Sequence, residues 1–380
     1  MGLAQESYLS AVKVLKRCIT PKGLYASGTK EGYTSVWSRD SNISLLGGAL
    51  VGREFKKAFE DSLNTLVKNQ STLGQIPNAV GIYDPLLRSD VTYSTIDSSL
   101  WFLVGEYVYA KAYKNKSLLK KHAIHIEKAF KWVRYQDFSE EHLPTQQPTG
   151  DWQDAFPHKY GRTINTEALY YAALRFLGKD KEATLVKKLV NGPSRPHLAL
   201  YDKKLGFYLP WAWKDHAGDR EEEHWFDSLG NLLAIISGLA GPVKARSILR
   251  YIETHRINRP YPVKCIDPPI YPKSKLWKSY FSKSDARTPH HYLNGGIWPF
   301  IGGFYVAALV KAKQFKKAEQ ELELLAKAVK QGRELVWEFN EWLDGVHGKP
   351  RGGIYQAWSA GAYIFAYECV KRKKVPFFKF

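Results

Sequence analysis

The sequence has few of the residues that build covalent, metal-bound or membrane-embedded frameworks. Only three of its 380 residues are cysteines, Cys18, Cys265 and Cys369, and their odd number and irregular spacing argue against a disulfide framework. No apolar run is long enough to cross a membrane. Residues 5–18 have the pattern of an amphipathic helix, not of a signal peptide. We therefore expect a cytoplasmic protein.

Motifs for several reaction classes are also missing. There is no phosphate-binding glycine loop and no Gly-x-Ser-x-Gly elbow. The histidine pairs His290-His291 and His122/His125 lack the cysteine or acidic spacing that would complete a zinc site. The sequence therefore predicts no metal and no cofactor, and it gives no support to catalysis by a serine or cysteine nucleophile.

Acidic residues are in the minority, with 37 Asp and Glu against 56 Lys and Arg, so the net charge is +19. A charge of this size raises the alternative of a nucleic-acid or anionic-surface partner. The basic residues, however, are scattered over predicted helix faces, whereas the aromatic loops carry acids. Because a cleft lined with carboxylates repels phosphate, we expect no nucleic-acid and no membrane partner.

Aromatic residues, in contrast, are abundant, at 14% of the chain with 12 Trp. Helical periodicity dominates and strand alternation is rare. We count about twelve helical segments, among them 116–135 and 294–312, joined alternately by short turns and by long polar loops rich in aromatic residues. The six long loops are Glu31–Asp40, Asp90–Asp97, Gly150–Ile164, His216–Asp227, Arg287–Asn294 and Trp337–Tyr355.

Six helix pairs, each with a long loop at the same position in the pair, predict an all-α fold. The arrangement expected is a closed ring of inner and outer helices, an (α/α)6 toroid, forming a single domain over residues 1–380. In a ring all six loops open at the same end, whereas an open solenoid would spread them along a surface. The count of six pairs and the concentration of acidic and aromatic residues at one phase favour the ring.

The stretch Gly150–Leu174 begins as an acidic, aromatic loop and continues as an apolar helix. In it Asp151 and Asp154 lie among aromatic residues such as Trp152 and Phe156. Aromatic rings stack on sugar faces, and their low dielectric can raise the pKa of a carboxyl group until it acts as an acid. The alternatives are that Asp154 solvates the loop or caps the helix, or that Asp151 is the proton donor in its place.

Hydrolysis of a glycoside needs a second carboxyl group on the opposite side of the bond. Glu341, in the run EFNEWLDG, is the candidate. Asp97 is equally consistent with an ordinary helix cap, and Arg39-Asp40 with a buried ion pair or with two ligands of sugar hydroxyls. The carboxylates that compete with Glu341 in its own loop are Glu338 and Asp344.

Several blocks of sequence resemble known glycosidases. VWSRDSNISLLGGALVGR, GQIPN, YSTIDSSLWFLVGEYVY, DWQDA, NTEALYYAAL and NEWLDGVHGKPRGGIYQAWSAGAY resemble the amylo-α-1,6-glucosidase domain of glycogen-debranching enzymes. FDSLGNLLAIISGL and TPHHYLNGGIWP resemble the neutral and alkaline invertases, glycoside hydrolase family 100. Both groups are six-hairpin glycosidases with an (α/α)6 toroid, and the resemblance covers about residues 25 to 370.

The resemblance implies roles for individual residues. By position, Asp154 matches the general acid and Glu341 the general base of an inverting mechanism. Residues in blocks that hold the terminal sugar are Arg39, Asp40, Asp97, Trp101, Gln153, Trp298 and Gln356. Further substrate-binding candidates are Trp37, Asp151, Trp152, Trp225, Asn294 and Trp358.

The chain also departs from both families. Asp154 is followed by Ala155 and Phe156, where the invertases have an Asp-Arg-Arg signature, which disfavours sucrose. The additional N-terminal region of debranching enzymes is not present, which favours a short oligosaccharide. The expected function is exo-acting, inverting release of terminal glucose from an α-glucoside. The alternatives are hydrolysis of sucrose, trehalose or glucosylglycerate, and, in another class, non-catalytic binding of carbohydrate or nucleic acid.

Overall fold

The computed structural model describes residues 2–30, 32–82, 89–192, 195–213 and 220–380. Glu31 and residues 216–219, which belong to two of the predicted loops, lie outside the described residues. Within the described part of the chain the α-helices are α1 Leu3–Arg17, α2 Ser38–Val51, α3 Lys56–Lys68, α4 Asp97–Tyr113, α5 Ser117–Lys121, α6 Ala123–Arg134, α7 Ile164–Phe176, α8 Asp180–Asn191, α9 Ser228–Ser237, α10 Pro242–Thr254, α11 Pro299–Lys311, α12 Phe315–Lys330 and α13 Ala357–Arg372.

The helices fall into two classes that their sequences explain. The helices α2, α4, α7, α9, α11 and α13 are buried around almost their whole circumference. For example, α11 reads PFIGGFYVAALVK and has no polar face. The helices α1, α3, α6, α8, α10 and α12 bury one face only, as in FKKAEQELELLAKAVK of α12. An apolar stripe with a charged opposite face is typical of a helix between core and solvent.

The six buried helices contact one another in a closed cycle. Each packs against the next, from α2 through α4, α7, α9 and α11 to α13, and α13 packs back against α2. The approach of α2 to α13 is close, because a Cβ atom on Gly47 would lie 1.9 Å from the carbonyl oxygen of Gly361. Only glycine fits at this crossing.

Two predicted helices differ from the structure. The segment 116–135 is divided into α5 and α6 at His122, whose ring Nδ1 lies 2.6 Å from the Glu106 carboxylate. The segment 294–312 becomes helical only at Pro299, because proline is well suited to the first position of a helix. The residues before it form isolated bridges in place of a helical turn, at Asn294, Gly295 and Ile297.

The expectation of a helix-rich fold is confirmed, but short antiparallel strands accompany the helices. A two-residue strand is too short to show alternation, so the sequence did not reveal them. Several lie just before a buried helix and attach the preceding loop to its neighbour. Three strands form one sheet in the order β3 Val36–Trp37, β4 Ala79–Val80 and β5 Val91–Thr92. The other strands form pairs, which are β1 Ile19–Thr20 with β2 Gly23–Leu24, β6 Arg162–Thr163 with β9 Trp211–Ala212, β7 Tyr201–Asp202 with β8 Phe207–Tyr208, β10 Phe226–Asp227 with β11 Ile266–Asp267, and β12 Trp342–Leu343 with β13 Pro350–Arg351.

Two further features of the described residues concern helix length and the short 3₁₀ turns. None of the helices combines the length and apolar character required to span a membrane. Four short 3₁₀ turns complete the described secondary structure, at Arg53–Phe55, Pro196–Leu198, Ser279–Lys283 and Asp285–Arg287.

Candidate active site

A cavity of about 700 Å³ lies where the buried helices begin. Its walls come from the loops before α2, α4, α7, α11 and α13, so the chain brings distant segments together at one end of the helix cycle. The predicted residues that line it are Trp37, Arg39, Asp40, Trp152, Asp154, Trp298, Glu341, Gln356 and Trp358.

Glu341 is held in a defined position on one wall. The Tyr33 hydroxyl donates a hydrogen bond to its Oε1 at 3.3 Å, and the Gly353 N–H donates to its Oε2 at 3.0 Å. Burial raises the pKa of Glu341 to about 7; the two hydrogen bonds oppose this shift and the Asp154 charge adds to it. A carboxyl group with a pKa near neutrality suits a general base.

The loop beside Glu341 needs glycine at Gly352. A Cβ atom there would lie 2.5 Å from Oε2 of Glu341, and the backbone has φ +68°. This positive φ is unfavourable for residues with a side chain. The glycine therefore allows the loop backbone to approach the carboxylate closely enough for Gly353 to donate its hydrogen bond.

Asp154 lies in the same cavity, with 32% of its side chain exposed. An Nη2 atom of Arg39 lies 3.4 Å from its Oδ2. Burial raises the pKa of Asp154, and the positive charge of Arg39 opposes that shift. Asp154 does not cap the helix that follows, because Thr163 holds that place by accepting a hydrogen bond from the Thr166 N–H.

The competitors of Glu341 are engaged in loop structure. The carboxylate of Glu338 accepts three backbone N–H groups, from Arg333, Glu334 and Leu335. Asp344 likewise accepts backbone N–H groups. Burial opposes ionisation of both groups, but these hydrogen bonds prevail and lower the pKa of each. In the described part of the chain, neither Glu338 nor Asp344 lines the cavity.

Arg39 is a buried guanidinium surrounded by carboxylates. Besides Asp154, it lies 3.4 Å from Asp97 and 3.9 Å from Asp40. Burial raises the pKa of Asp40 to about 7 and that of Asp97 to about 6, although Arg39 opposes both shifts. The helix begins at Asp97 itself and its N-cap position is Ile96, so Asp97 is not the N-cap, and its carboxylate contacts Arg39 instead.

A second buried ion cluster fixes the Asp154 loop from behind. The Lys159 ammonium lies 2.9 Å from Asp151 and 3.0 Å from Asp227, and all three side chains are fully buried. The other oxygen of Asp151 accepts the Gln153 N–H, and Lys159 donates to the Gln153 side chain. Asp151 therefore faces Lys159, which favours Asp154 as the proton donor.

Six predicted substrate-binding residues do not line the cavity. Asp97, Asp151 and Gln153 belong to the two ion clusters. Trp101 is buried in the core against Phe304, with ring centroids 6.1 Å apart. The Asn294 amide bonds to the backbone of Ile270 and Ala286 and joins two loops. Trp225 lines a separate, smaller cavity.

Other residues that sequence reasoning did not select also line the cavity, among them Tyr33, Asn78 and Tyr292. Tyr33 and Tyr292 belong to two of the predicted loops, and Asn78 ends the GQIPN block. The signal was therefore present at the level of the loop, but the sequence does not tell which aromatic residue in a loop points inward.

Some donors at this cavity have no partner of their own. Nε1 of Trp152, Nε1 of Trp358 and Nε2 of Gln356 are buried and make no hydrogen bond to the described residues. An unpaired buried donor costs roughly 1–3 kcal/mol, so such groups normally meet a water or a ligand. Aromatic faces with free donors and carboxylates can bind a polyhydroxylated ring.

A larger groove, of about 1120 Å³, lies between α6 and α8. None of the predicted site residues lines it, so volume alone does not locate the chemistry. Within the described parts of the chain, no three or more His, Cys, Asp or Glu side chains gather as a metal site would require.

Comparison with known families agrees with the cavity chemistry. Residues 28–205 match the family model for amylo-alpha-1,6-glucosidase, and residues 217–373 match that for alkaline and neutral invertase. Each half of the chain is thus similar to a glycosidase family, and the two matches together are consistent with the six-hairpin glycosidases. A resemblance to these two families was predicted from the sequence, and the two matches confirm it.

Curated proteins to which the chain is similar include plant invertases. Probable alkaline/neutral invertase D of Arabidopsis thaliana is 31% identical over 153 residues, which are 39% of this chain and 27% of that protein. Neutral/alkaline invertase 1, mitochondrial, of Oryza sativa subsp. japonica is 30% identical over 142 residues, 37% of this chain and 22% of that protein. The chain thus matches about a quarter of their length.

Solved structures share the fold over nearly the whole chain. A family 63 mannosylglycerate hydrolase from Thermus thermophilus, in complex with glucose, has a TM-score of 0.67 at 16% identity and covers 94% of this chain and 98% of its own. A rhamnosidase from Klebsiella oxytoca with rhamnose bound has a TM-score of 0.65 at 14% identity, and the match covers 96% of this chain and 64% of that chain. Both of these structures, like the plant invertases, are glycoside hydrolases.

Proposed function

We propose that the chain is an exo-acting, inverting glycoside hydrolase that releases terminal glucose from a short α-glucoside, with an α-1,6 linkage preferred. The catalytic unit is one (α/α)6 toroid over residues 1–380, with the six buried helices as its inner ring. The observation that carries the proposal is the presence of Asp154 and Glu341 in the walls of one aromatic cavity. Two carboxyl groups flanking the bond suffice for glycoside hydrolysis, and no cofactor is needed.

The proposed reaction is a single displacement at the anomeric carbon. Asp154 donates its proton to the glycosidic oxygen as the bond from that oxygen to the anomeric carbon breaks. Glu341 accepts a proton from a water molecule whose oxygen forms the new bond from the opposite face. Tyr33 and Gly353 hold the Glu341 carboxylate in place, and Arg39 orients Asp154.

The charge of the cavity favours a neutral substrate. Of the described residues that line it, Arg39 is the one cation, and it is already paired with Asp154 and Asp40. An anionic leaving group such as glycerate would meet this negative surface without a free cation. The family match to invertases instead supports a neutral disaccharide as the alternative substrate.

Loss of the Tyr33 hydroxyl should change the pH dependence of hydrolysis. Glu341 must be ionised to act as a base, so kcat/KM rises as pH increases through its pKa in the free enzyme. The Tyr33 hydrogen bond stabilises the ionised form and lowers that pKa. In Tyr33→Phe the acidic limb should therefore move upward by about 0.5–1 pH unit, the equivalent of one hydrogen bond.

The measurement is kcat/KM from pH 5 to 9 for both proteins. Tyr367→Phe is the matched control, because its hydroxyl bonds Gln5 on the outer surface. An acidic limb in Tyr33→Phe that coincides with the wild type would show that the hydroxyl does not tune the base.

Release of free glucose tests the proposal directly. The panel is isomaltose, panose, maltose, sucrose, trehalose, glucosylglycerate and limit dextrin. We expect activity on isomaltose and panose that Asp154→Asn abolishes. Activity on sucrose or trehalose alone would favour the alternative. No release from any member by folded protein would contradict the proposed glucosidase and leave a non-catalytic binding role.

A further inference from the structure

A second, smaller cavity of about 300 Å³ lies on the other side of the loop that carries Asp154. Trp211, Trp225 and Tyr160 form its aromatic walls. The rings of Tyr160 and Trp211 lie 4.4 Å apart at 31°. Ligand sites of this size combine apolar and aromatic walls with a few polar groups.

Polar groups are present at the same walls. Trp211 is 6% exposed, and its Nε1 makes no hydrogen bond within the described part of the chain. Glu223 brings a partly buried carboxylate to the cavity and Lys278 an exposed ammonium group. His158 is fixed by the Tyr280 hydroxyl at 2.9 Å. These groups can accept and donate hydrogen bonds to the hydroxyls of one sugar ring.

The two cavities share a wall. Ala155 lines the cavity that holds Asp154 and Glu341, and Pro157 lines the second one. Two residues of extended chain span at most about 7 Å. Between them the Phe156 ring packs on Phe281, with centroids 4.4 Å apart, and makes the wall solid. An oligosaccharide that leaves the first cavity and passes over this wall would reach the second cavity.

We infer that this second cavity binds a distal, neutral hexose unit of an oligosaccharide whose terminal unit lies between Asp154 and Glu341. The unit stacks on Trp225, and its hydroxyls accept from Trp211 and donate to Glu223. The inference rests on the proposed function. It predicts that the enzyme prefers a tetrasaccharide to a disaccharide of the same linkage.

The test compares kcat/KM for a disaccharide and a tetrasaccharide of one linkage. Trp225→Ala should lower the ratio of tetrasaccharide to disaccharide kcat/KM by about tenfold, the loss of one strong contact. Trp211→Phe, a smaller change that removes the N–H, should lower it by about threefold. Trp132→Ala, on the outer helix α6, is the matched control and should keep the wild-type ratio.

A second measurement separates this inference from the proposed function. Calorimetry records binding of both oligosaccharides to Asp154→Asn, with and without Trp225→Ala. Tetrasaccharide binding that Trp225→Ala weakens, without cleavage by the wild type, would refute the hydrolase but support the second site. Cleavage with equal ratios in wild type, Trp225→Ala and Trp211→Phe would support the hydrolase and overturn the second site. Binding of neither sugar, together with no cleavage by the wild type, would overturn both.

Discussion

Asp154→Asn and Glu341→Gln should each lower turnover of an α-glucoside by at least about 10²-fold, the scale of general acid–base catalysis. Both replacements keep the size of the side chain and remove its ability to transfer a proton. The two residues are contacted by different groups, Arg39 for Asp154 and Tyr33 with Gly353 for Glu341. Because one residue donates a proton and the other accepts one, the two losses should have different chemical signatures.

A substrate with a good leaving group distinguishes the two roles. A nitrophenyl glucoside needs little protonation of its leaving oxygen, so Asp154→Asn should regain most of its activity on it. Glu341→Gln should remain slow, because water still lacks its base. Asp344→Asn is the matched control, since its carboxylate is engaged by backbone N–H groups away from the cavity. Wild-type turnover in folded Asp154→Asn or Glu341→Gln would refute that residue's role.

Lys159→Met should destabilise the fold by roughly 3–5 kcal/mol, the usual effect of removing one partner of a buried ion pair. Lys159 is fully buried between Asp151 and Asp227. Methionine would fill the volume but leave both carboxylates buried without their cation. Asp227 also caps α9 through the Gly230 N–H, so the change affects a helix start as well as the Asp154 loop.

Urea unfolding monitored by circular dichroism measures this effect as a lower midpoint. Lys317→Met, which removes a surface pair with Glu253, is the control and should leave the midpoint close to wild type. Lys159→Met with an unchanged midpoint would show that the cluster does not stabilise the loop. A rescue by Asp151→Asn in the same chain would support the charge argument, because one of the two unpaired carboxylates is then gone.

The helix pattern was predictable because apolar periodicity is a local property. Helices without a polar face, such as α11, had to be internal, and amphipathic ones such as α12 had to cover them. The interruption at His122 was not predictable, because it depends on a contact with Glu106 of the neighbouring helix. The two-residue strands depend in the same way on partners far along the chain.

The sequence predicted which loops form the site, but only some of the residues in those loops that line it. Trp152 lines the cavity, while its neighbour Asp151 faces Lys159, and nothing in the local sequence separates these directions. Lys159 itself resembled any surface lysine until Asp227, 68 positions away, was placed beside it. Asp154 and Glu341 were candidates from their own loops, the resemblance gave them the roles of acid and base, and these roles remain predictions for the experiments above.

The most direct test of the proposed mechanism is the anomer of glucose that forms first. Proton NMR during hydrolysis of isomaltose by the wild type resolves the two anomers before mutarotation mixes them. Asp154 as acid and Glu341 as base predict that β-glucose appears first, because water attacks opposite to the leaving oxygen. Initial formation of α-glucose would show retention and contradict the assignment of Glu341 as a base acting through water.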